Sequence, residues 1–355
     1  MSSRDLFAKI DTPAVVIDVA QAARNIRRFQ DYADAHGLKL RPHIKTHKLP
    51  FFAKAQIAAG AIGITCQKIG EAEVMADAGL TDILITYNIL GAAKVLRLVA
   101  LARRCKLSVV ADNSAVVDGL SAVFAQEPAP LEVLVECDTG AGRCGVQNAE
   151  EVVVLARRIA AAPGLTFGGL MTYPPMRDET KVDAWLRQAQ QALSAAGLPC
   201  PRISSGGTPN MWRAHQITCA TEHRAGTYIY NDRSLINAGV AKPEDCALTV
   251  LATVVSRPTP TRAIIDAGTK TLTSDLLGLS GYGYVVEAPE ARIAGLSEEH
   301  GTLDLSATDW RPQVGDRLRV IPNHACVVSN MVDSVWLLKD DQLTQESVAA
   351  RGKIT

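Results

Sequence analysis

The sequence predicts an α/β fold in which a closed (β/α)8, TIM-like barrel is followed by an all-β domain. Between Lys39 and Tyr230, short β-branched segments alternate with helical ones, which is the pattern of βα units repeated around a parallel sheet. After Ala241, strand-like segments follow one another without a long helical segment between them. We therefore expect a barrel over residues 13–240 and a β domain over residues 241–355 together with residues 1–12.

Eight strand candidates of the barrel come at fairly even intervals, and this number favours a closed barrel over an open sheet. Helical segments such as Ala20–Ala35 and Gly91–Arg104 separate them. The strand-like segment Pro13–Asp18 precedes the first long helix and is expected to join the two domains. The eight candidates are Lys39–His43, Ile62–Cys66, Asp82–Thr86, Lys106–Ala111, Leu131–Cys137, Thr166–Thr172, Arg202–Ser205 and Gly226–Tyr230.

Five further segments form the predicted β domain. They are rich in β-branched residues and are separated by turn residues rather than by helices. They are Cys246–Val255, Arg262–Asp266, Gly281–Val286, Arg317–Ile321 and Ser334–Leu338.

Charge and composition favour a small-molecule partner. The 37 basic residues balance 37 acidic ones, so no net field favours nucleic acid or an anionic membrane. The first residues lack an apolar signal core, and no run of eighteen uncharged apolar residues occurs, so we expect a cytoplasmic protein without a membrane partner. The eight cysteines have no paired spacing. Seven of them are expected to be reduced structural thiols, and Cys326 is the exception considered below.

A basic cluster, Arg41-Pro42-His43-Ile44-Lys45-Thr46-His47-Lys48, closes the first barrel strand. Lys45 would therefore project from the C-terminal rim, where barrel enzymes form their active sites. A neutral lysine amine at such a place can act as a nucleophile. A solvated basic loop is the alternative that the residue types alone leave open.

Three further strand ends carry candidate binding residues. Arg143 lies in the glycine-rich turn Asp138–Gly145 after the fifth strand, and Tyr173 ends the sixth. Gly206, Gly207 and Thr208 follow the seventh, where small residues let backbone N–H groups approach a phosphate. Each feature has a structural alternative, because glycine-rich loops and buried tyrosines are common in proteins without a ligand.

His324 and Cys326 form the candidate metal pair. They lie in a segment that is predicted to be extended, so that residues two apart project from one face and can share an ion. Imidazole and thiolate together favour zinc or a similar borderline metal, and two protein ligands leave positions open for water and substrate. The alternative is a core strand with an incidental polar pair.

The segment Pro42–Lys48 resembles the cofactor-lysine motif of the D-threonine aldolase and eukaryotic-type D-serine dehydratase family, whose members have the alanine-racemase-like architecture of fold type III pyridoxal-phosphate enzymes. The resemblance extends from about Asp11 to about Arg351. It implies a Schiff base between Lys45 and pyridoxal 5'-phosphate, and a homodimer. It also implies a divalent metal (Zn, Mn or Mg) on His324 and Cys326, which are followed here, as in the family, by Asn330 and Asp333.

The same resemblance assigns roles around the cofactor. Arg143 would lie beside the phenolate oxygen, Tyr173 would face the ring, and the turn of Gly206, Gly207 and Thr208 would hold the phosphate. Gln67 would be a ring or phosphate neighbour. Further contacts would come from the segment that opens the eighth predicted strand, namely Gly226, Thr227 and Tyr228.

The function implied by the resemblance is that of a lyase acting on β-hydroxy D-amino acids. Retro-aldol cleavage to glycine and an aldehyde is placed ahead of dehydration of D-serine or 3-hydroxy-D-aspartate, because the segment Gly70–Met75 resembles the aldolases. An amino-acid racemase would need a second base opposite Lys45 and would have no use for His324 and Cys326. A cofactor-carrying regulatory protein is disfavoured by the large C-terminal domain.

The sequence departs from the family at one place. Related enzymes often have a histidine shortly after the tyrosine that ends the sixth strand, whereas Tyr173 is followed here by Pro174-Pro175-Met176. The next histidine along the chain is His215. The sequence therefore leaves open which group acts as general base on the substrate hydroxyl.

Overall fold

A computed structural model describes residues 6–355, which fall into two compact units. The barrel unit comprises Arg28–Lys45, Pro50–Gly226 and Lys353–Thr355. The mixed-sheet unit comprises the described residues up to Arg27, together with Thr46–Leu49 and Thr227–Gly352. These units divide the chain at other places than the expected boundary at 240/241. Two hydrogen bonds help to explain why residues 229 and 230 belong to the mixed-sheet unit. The Asn25 side-chain amide donates to the Ile229 carbonyl at 3.0 Å, and the Ala247 N–H donates to the Tyr230 carbonyl at 2.7 Å.

The first strand, β1 (Ala14–Asp18), belongs to the mixed sheet. It pairs antiparallel with residues 248–251 and parallel with residues 336–338. Helix α1 (Val19–Ala35) follows directly, and the Asp18 carboxylate accepts the Gln21 N–H at 2.8 Å, which satisfies one free donor of the first turn. The buried residues of α1 recur at helical spacing, at Ala22, Ile26, Phe29 and Ala33.

Eight parallel strands form the sheet of the barrel unit. The ladder runs from β2 through β9, β8, β7, β6, β5 and β4 to β3. The two ends meet through a bridge between His43 and Thr65 and a hydrogen bond from Ile62 N–H to Leu40 C=O at 2.9 Å. The closed, TIM-like barrel predicted from eight strands is therefore confirmed. The strands are β2 (Lys39–Leu40), β3 (Ile64–Cys66), β4 (Asp82–Asn88), β5 (Lys106–Ala111), β6 (Leu131–Cys137), β7 (Leu165–Thr172), β8 (Ile203–Gly206) and β9 (Glu222–Arg224).

The eighth predicted barrel strand was wrong. Residues Gly226–Tyr230 contain the 3-10 helix Thr227–Ile229, and the strand is β9, a few residues earlier. Strand β9 was missed because two of its buried residues, Glu222 and Arg224, are charged, whereas buried strand residues are expected to be apolar. Glu222 pairs with Arg41 at 3.2 Å and Arg224 donates to the Ser204 hydroxyl at 2.6 Å. A strand whose charges are paired in this way lacks the apolar alternation by which strands are recognised.

Six helices connect the barrel strands. Asn113 and Asn148 cap two of them, accepting the N–H groups of Val116 and Glu151 at 3.1 and 2.9 Å. Short 3-10 helices follow two strand regions, Ile44–Thr46 after β2 and Thr208–Gln216 after β8. The six helices are α2 (Pro50–Ala59), α3 (Ile69–Asp77), α4 (Ala92–Ala102), α5 (Ser114–Phe124), α6 (Ala149–Ala161) and α7 (Glu179–Ala195).

The mixed-sheet unit has nine strands, of which β1 is one. The ladder runs β13-β14-β11-β10-β1-β16-β17, and β15 pairs with β10 and β12. Its other elements are α8 (Arg233–Asn237), the 3-10 helix Pro243–Asp245, β10 (Leu248–Thr259), β11 (Arg262–Ile265), α9 (Thr269–Leu272), β12 (Tyr284–Val285), β13 (Arg292–Leu296), β14 (Gly301–Asp304), β15 (Arg317–Ile321), α10 (Ala325–Met331), β16 (Ser334–Lys339) and β17 (Gln342–Ser347).

Three strands of this sheet were not predicted. In the pairing of β13 with β14 the register shifts between Ile293 and Gly295, which interrupts the alternation. Strand β17, Gln342–Ser347, is mainly polar and largely exposed, so it carries no apolar period. Within residues 6–355, which contain all eight cysteines, no disulfide is formed. No helix within residues 6–355 combines the length and apolar character needed to cross a membrane.

The extended conformation predicted for the segment of His324 and Cys326 was wrong beyond His324. His324 is extended and immediately precedes helix α10, and Cys326 lies in the first turn of that helix. The β-branched residues Val327 and Val328 suggested a strand.

Candidate active site

Lys45 lies in the 3-10 helix after β2, at the C-terminal end of a barrel strand. Its side chain is half-buried. Its backbone N–H donates to Nδ1 of His43 at 3.3 Å, so this imidazole nitrogen is unprotonated. The residue is therefore held at the rim where barrel active sites form, as the sequence predicted.

A relay of hydrogen bonds continues from His43 into the barrel. Nε2 of His43 lies 3.1 Å from Oε1 of Gln67, and the Gln67 amide donates to the Thr86 carbonyl at 2.9 Å. Because Nδ1 of His43 accepts from Lys45, Nε2 carries the proton that Gln67 accepts. Gln67, predicted as a neighbour of the cofactor, thus also orients the residue that contacts the Lys45 backbone.

Arg143, Tyr173 and Gly207 come from three different strand ends and meet at the same rim. The Arg143 guanidinium lies over the Tyr173 ring, 4.8 Å from its centroid, in cation–π geometry. Gly207 has φ of +135°, and a Cβ added there would lie 3.3 Å from the Tyr173 ring. Any side chain at residue 207 would therefore be strained and would crowd the tyrosine.

The turn Gly206–Thr208 and the segment before the 3-10 helix at Thr227 form one hydrogen-bonded structure. Gly207 N–H donates to the Arg224 carbonyl at 2.9 Å, and Gly226 N–H donates to the Thr208 hydroxyl at 3.2 Å. The structure thus brings Gly206, Gly207, Thr208 and Gly226 together. Because two of their N–H groups already have protein partners, the hydroxyl and the remaining backbone donors are the groups available to a phosphate.

Glu136 and Arg224 are two buried charged residues of the barrel unit that the sequence analysis missed. Glu136, near the end of β6, is 4% exposed. Burial raises the pKa of its carboxyl to about 7, Arg143 and Arg224 lower it, and Asp112 and Asp138 raise it. Arg224 donates to the Thr172 carbonyl at 2.7 Å, and burial lowers the pKa of its guanidinium to about 10. Glu136 could have been noticed in the sequence, because it is a glutamate inside the otherwise mainly apolar segment Leu131–Cys137.

The candidate metal pair lies in the mixed-sheet unit. The imidazole of His324 is hydrogen-bonded to the side chain of Cys326. Two hydroxyls surround the Cys326 sulfur, that of Thr46 at 3.1 Å and that of Thr227 at 3.4 Å. Thr227 therefore lies beside the thiol. Tyr228, the next residue predicted to contact the cofactor, is buried in the same 3-10 helix.

Anionic groups surround His324. Its Nδ1 lies 2.8 Å from a carboxylate oxygen of Asp275. Burial lowers the pKa of the imidazole, but Cys326, Asp275 and Asp232 outweigh burial and raise it to about 9. Asp275 and Asp232 were not predicted, since they are 49 and 92 residues away from His324 in the chain. The surplus of negative charge suits a cation.

The histidine that follows Tyr173 in the sequence does not join this group. His215 stacks on His36, with ring centroids 4.2 Å apart, and its Nδ1 lies 2.5 Å from the Tyr32 hydroxyl. Both partners lie on or next to α1. Directly after Tyr173 the chain places the buried Pro174. The structure therefore places no histidine from the segment after Tyr173 beside the Tyr173 ring, and His215 does not take that place.

Two family models match the chain. The model described as "Alanine racemase, N-terminal domain" matches residues 17–234, and the model described as "Putative serine dehydratase domain" matches residues 247–338. The first of these covers more than half of the chain. The parallel barrel followed by a mixed-sheet unit is thus the fold of an alanine-racemase-like protein.

Relatives of known activity narrow the class. The D-threonine aldolase of Arthrobacter sp is 35% identical, over 98% of this chain and 94% of the relative. The D-threo-3-hydroxyaspartate dehydratase of Delftia sp. (strain HT23) is also 35% identical, over 96% and 98%. The solved D-threonine aldolase from Filomicrobium marinum has a TM-score of 0.90 and 32% identity, covering 98% of this chain and 97% of that chain.

The chain belongs to the D-threonine aldolase and D-serine dehydratase family of pyridoxal-phosphate enzymes, as its lysine motif predicted. The relatives are lyases, which confirms the predicted enzyme class. The family depends on pyridoxal phosphate, and a cysteine-to-alanine variant of the D-threo-3-hydroxyaspartate dehydratase has been solved in a metal-free form. The predicted combination of cofactor and divalent metal is thereby confirmed for the family.

Proposed function

We propose that the protein is a pyridoxal-phosphate- and divalent-metal-dependent lyase that cleaves β-hydroxy D-amino acids by a retro-aldol reaction to glycine and an aldehyde. The observation that carries the proposal is the His324–Cys326 pair, which lies among anionic groups in a chain that also has the cofactor lysine. A racemase only moves a proton at Cα and has no use for an ion at the substrate hydroxyl. The pair therefore favours a lyase over a racemase.

The residues of the barrel unit fit pyridoxal phosphate. Lys45 would hold it through its ε-amine, and Arg143 would offer a positive charge to an anionic oxygen. No side chain fits at Gly206 without a shift of the backbone, because a Cβ there would lie 2.6 Å from the Arg224 carbonyl, and a Cβ on Gly207 would lie 3.3 Å from the Tyr173 ring, so the turn presents bare backbone. Thr208 and Gly226 complete the turn that would receive the phosphate. When bound, the cofactor supplies an electron sink for negative charge at the substrate Cα.

The residues of the mixed-sheet unit fit a divalent metal. In the D-threo-3-hydroxyaspartate dehydratase, a histidine and a cysteine are separated by one residue, as His324 and Cys326 are here. Each has been replaced by alanine in a solved variant, and the cysteine variant was solved in a metal-free form. His324 and Cys326 would hold the ion, and two hydroxyls, from Thr46 and Thr227, would steady the sulfur. When bound, the metal polarises the substrate β-hydroxyl.

The remaining steps fall to side chains of this chain. The Nζ of Lys45 can carry a proton to or from the substrate Cα, since it lies at the rim and its backbone is fixed by His43. Arg143 and Tyr173 form one rigid face through their cation–π contact and would orient the ring. Pro174-Pro175-Met176 follows Tyr173 directly and His215 lies against Tyr32 and His36, so neither place supplies a histidine base for the hydroxyl proton.

Dehydration to ammonia and a keto acid is the second candidate reaction. It is favoured by one observation, the 35% identity to the Delftia dehydratase, which equals the identity to the Arthrobacter aldolase. Retro-aldol cleavage breaks the Cα–Cβ bond once the hydroxyl loses its proton, whereas dehydration breaks the Cα–H and Cβ–O bonds and then releases ammonia. Product analysis therefore decides between them.

The test is a substrate panel with and without a chelator. D-threonine, D-phenylserine, D-serine, 3-hydroxy-D-aspartate and D-alanine are incubated with the purified protein, and glycine, aldehydes, keto acids and L-enantiomers are quantified. We expect glycine and an aldehyde from D-threonine or D-phenylserine, and loss of this activity with EDTA. Keto acids would establish the dehydratase, and chelator-resistant conversion of D-alanine to L-alanine would establish the racemase.

Three coarser properties complete the proposal. We propose that the barrel unit binds the cofactor and that the mixed-sheet unit carries the metal pair. The family resemblance supports a homodimer, which light scattering on the eluted protein would test. The balanced charge supports a cytoplasmic protein without nucleic-acid or membrane partners, which fractionation of expressing cells would test.

A further inference from the structure

Asp275 is the acidic residue that contacts the imidazole of the candidate metal pair. We infer that it is a positioning residue, which fixes the ring of His324 so that one chosen nitrogen faces the ion. The inference rests on the proposed metal site of His324 and Cys326 and adds a residue to it that the sequence spacing does not suggest. Four features of the structure support it.

The first feature is the contact itself. Nδ1 of His324 lies 2.8 Å from Oδ2 of Asp275. A carboxylate only accepts hydrogen bonds, so the proton of this contact belongs to Nδ1. Nε2 is then the nitrogen left to share an ion with the Cys326 sulfur. Carboxylates that accept the second N–H of a ligand histidine set its tautomer and strengthen it as a ligand.

The second feature is that Asp275 is itself held at three points. Its backbone N–H donates to the Thr273 hydroxyl at 3.2 Å, and its carbonyl accepts from the Asn323 side chain at 3.1 Å. Its carboxylate contacts His324, the residue after Asn323. Two consecutive residues of the metal segment thus grip the backbone and the side chain of one aspartate. A solvated surface aspartate has no need of such anchoring.

The third feature is the backbone around Asp275. Thr273 has φ of +66° and Leu277 has φ of +49°, so two residues with side chains adopt the left-handed region on either side of it. For a β-branched threonine this conformation is energetically costly. The chain tolerates the cost here because the Thr273 hydroxyl accepts the Asp275 N–H, which turns the loop so that the carboxylate reaches the imidazole.

The fourth feature is that the backbone next to His324 is fixed independently of Asp275. The Asp232 carboxylate accepts the Ala325 N–H at 3.0 Å, and the Ser234 N–H donates to the Asn323 carbonyl at 3.3 Å. These contacts hold the main chain on both sides of the histidine. Rotation of the imidazole about its own side-chain bonds is what they leave undetermined, and the contact with Asp275 determines it.

The experiment measures binding of Zn²⁺ alone, by competition with a fluorescent chelator, in the cofactor-loaded protein. The variants are Asp275→Ala, which removes the acceptor, and Asp275→Asn, which keeps an uncharged acceptor. Asp309→Ala is the matched control, because Asp309 is an exposed aspartate of the same unit. Cys326→Ala establishes that the ion measured is the one at the pair. The absorbance of the bound cofactor reports that each variant is folded.

We expect the Kd for Zn²⁺ to rise by about 10- to 100-fold in Asp275→Ala, by less in Asp275→Asn, and not at all in Asp309→Ala. In the Zn²⁺-loaded wild type, the Nδ1–H of His324 should exchange slowly with solvent by NMR, and it should exchange faster in Asp275→Ala. Equal Kd values for wild type and Asp275→Ala would overturn the positioning role and leave the metal pair standing. A wild-type protein that binds no Zn²⁺ would overturn the pair, and the role of Asp275 with it.

Discussion

Replacing Glu136 by glutamine should remove a pH-dependent loss of stability from the protein. Glu136 is buried near the end of β6, and burial raises the pKa of its carboxyl to about 7 from an ordinary value of 4.5. Arg143 and Arg224 act in the opposite direction but do not outweigh burial. Glutamine has nearly the same shape and cannot ionise, so the substitution isolates the effect of charge.

The sign and the size of the effect follow from linkage. Below pH 4.5 the carboxyl is protonated in the folded and the unfolded chain, so it contributes no difference. Between pH 4.5 and about 7 the unfolded chain loses its proton while the folded protein keeps it, so stability falls as pH rises. Since each pH unit of difference between the two pKa values corresponds to about 1.4 kcal/mol, the full loss is about 3 kcal/mol.

Thermal unfolding from pH 4.5 to pH 8 measures this loss. With an unfolding entropy of about 2 cal/mol/K per residue over the whole chain, 3 kcal/mol corresponds to about 4 °C. The melting temperature of Glu136→Gln, relative to wild type, should therefore rise by about 4 °C across this range. Glu150→Gln, at an exposed carboxyl in the first turn of α6, provides the baseline. A difference between Glu136→Gln and wild type that stays constant with pH would refute the reasoning and show that Glu136 is ionised against the two arginines.

Three further predictions concern the cofactor and the metal. Lys45→Ala should abolish the cofactor adduct that borohydride fixes in the wild type, and an adduct mapped to Lys48 or Lys270 would contradict the assignment. Gly207→Val should weaken cofactor binding at least about tenfold, because a branched side chain at φ of +135° crowds the Tyr173 ring, while the melting temperature of the barrel changes less. Unchanged affinity would remove this turn from the site. Cys326→Ala should lower turnover as strongly as a chelator while the Lys45-bound cofactor keeps its absorbance, and Cys326→Asp should regain part of it with Mn²⁺. Full turnover in metal-free protein would disprove the metal pair.

The sequence predicted most of the barrel because its strands carry their signal locally. Segments such as Lys106–Ala111 and Leu131–Cys137 are apolar and β-branched, and the structure has strands with the same bounds. Strand β9 was not predicted because its buried Glu222 and Arg224 depend on hydrogen bonds to other segments. Glu222 accepts from Arg41, and Arg224 donates to Ser204. An alternation of apolar and polar residues cannot reveal a strand whose buried side chains are charged.

The site shows the same division between local and remote information. Lys45, Arg143, Tyr173 and Gly207 could be predicted as site candidates because the active site of a barrel forms at the ends of its strands, and the sequence indicates where these strands end. Asp275 and Glu136 could not be found in this way. The first acts through a contact made across 49 residues of chain, and the second differs from a surface carboxyl only in its burial.

The His324–Cys326 pair shows that side chains expected to be close in a strand can be close in a different local structure. In a strand, two residues separated by one share a face because side chains alternate. Here the extended residue His324 immediately precedes α10, and its imidazole is hydrogen-bonded to the side chain of Cys326 in the first turn of that helix. The proximity of imidazole and thiol therefore depends on where the helix begins. The Asp232 carboxylate accepts the N–H of Ala325, the first residue of the helix, and so stabilises the helix start at this residue. An aspartate that is remote in sequence therefore helps to bring the imidazole and the thiol together.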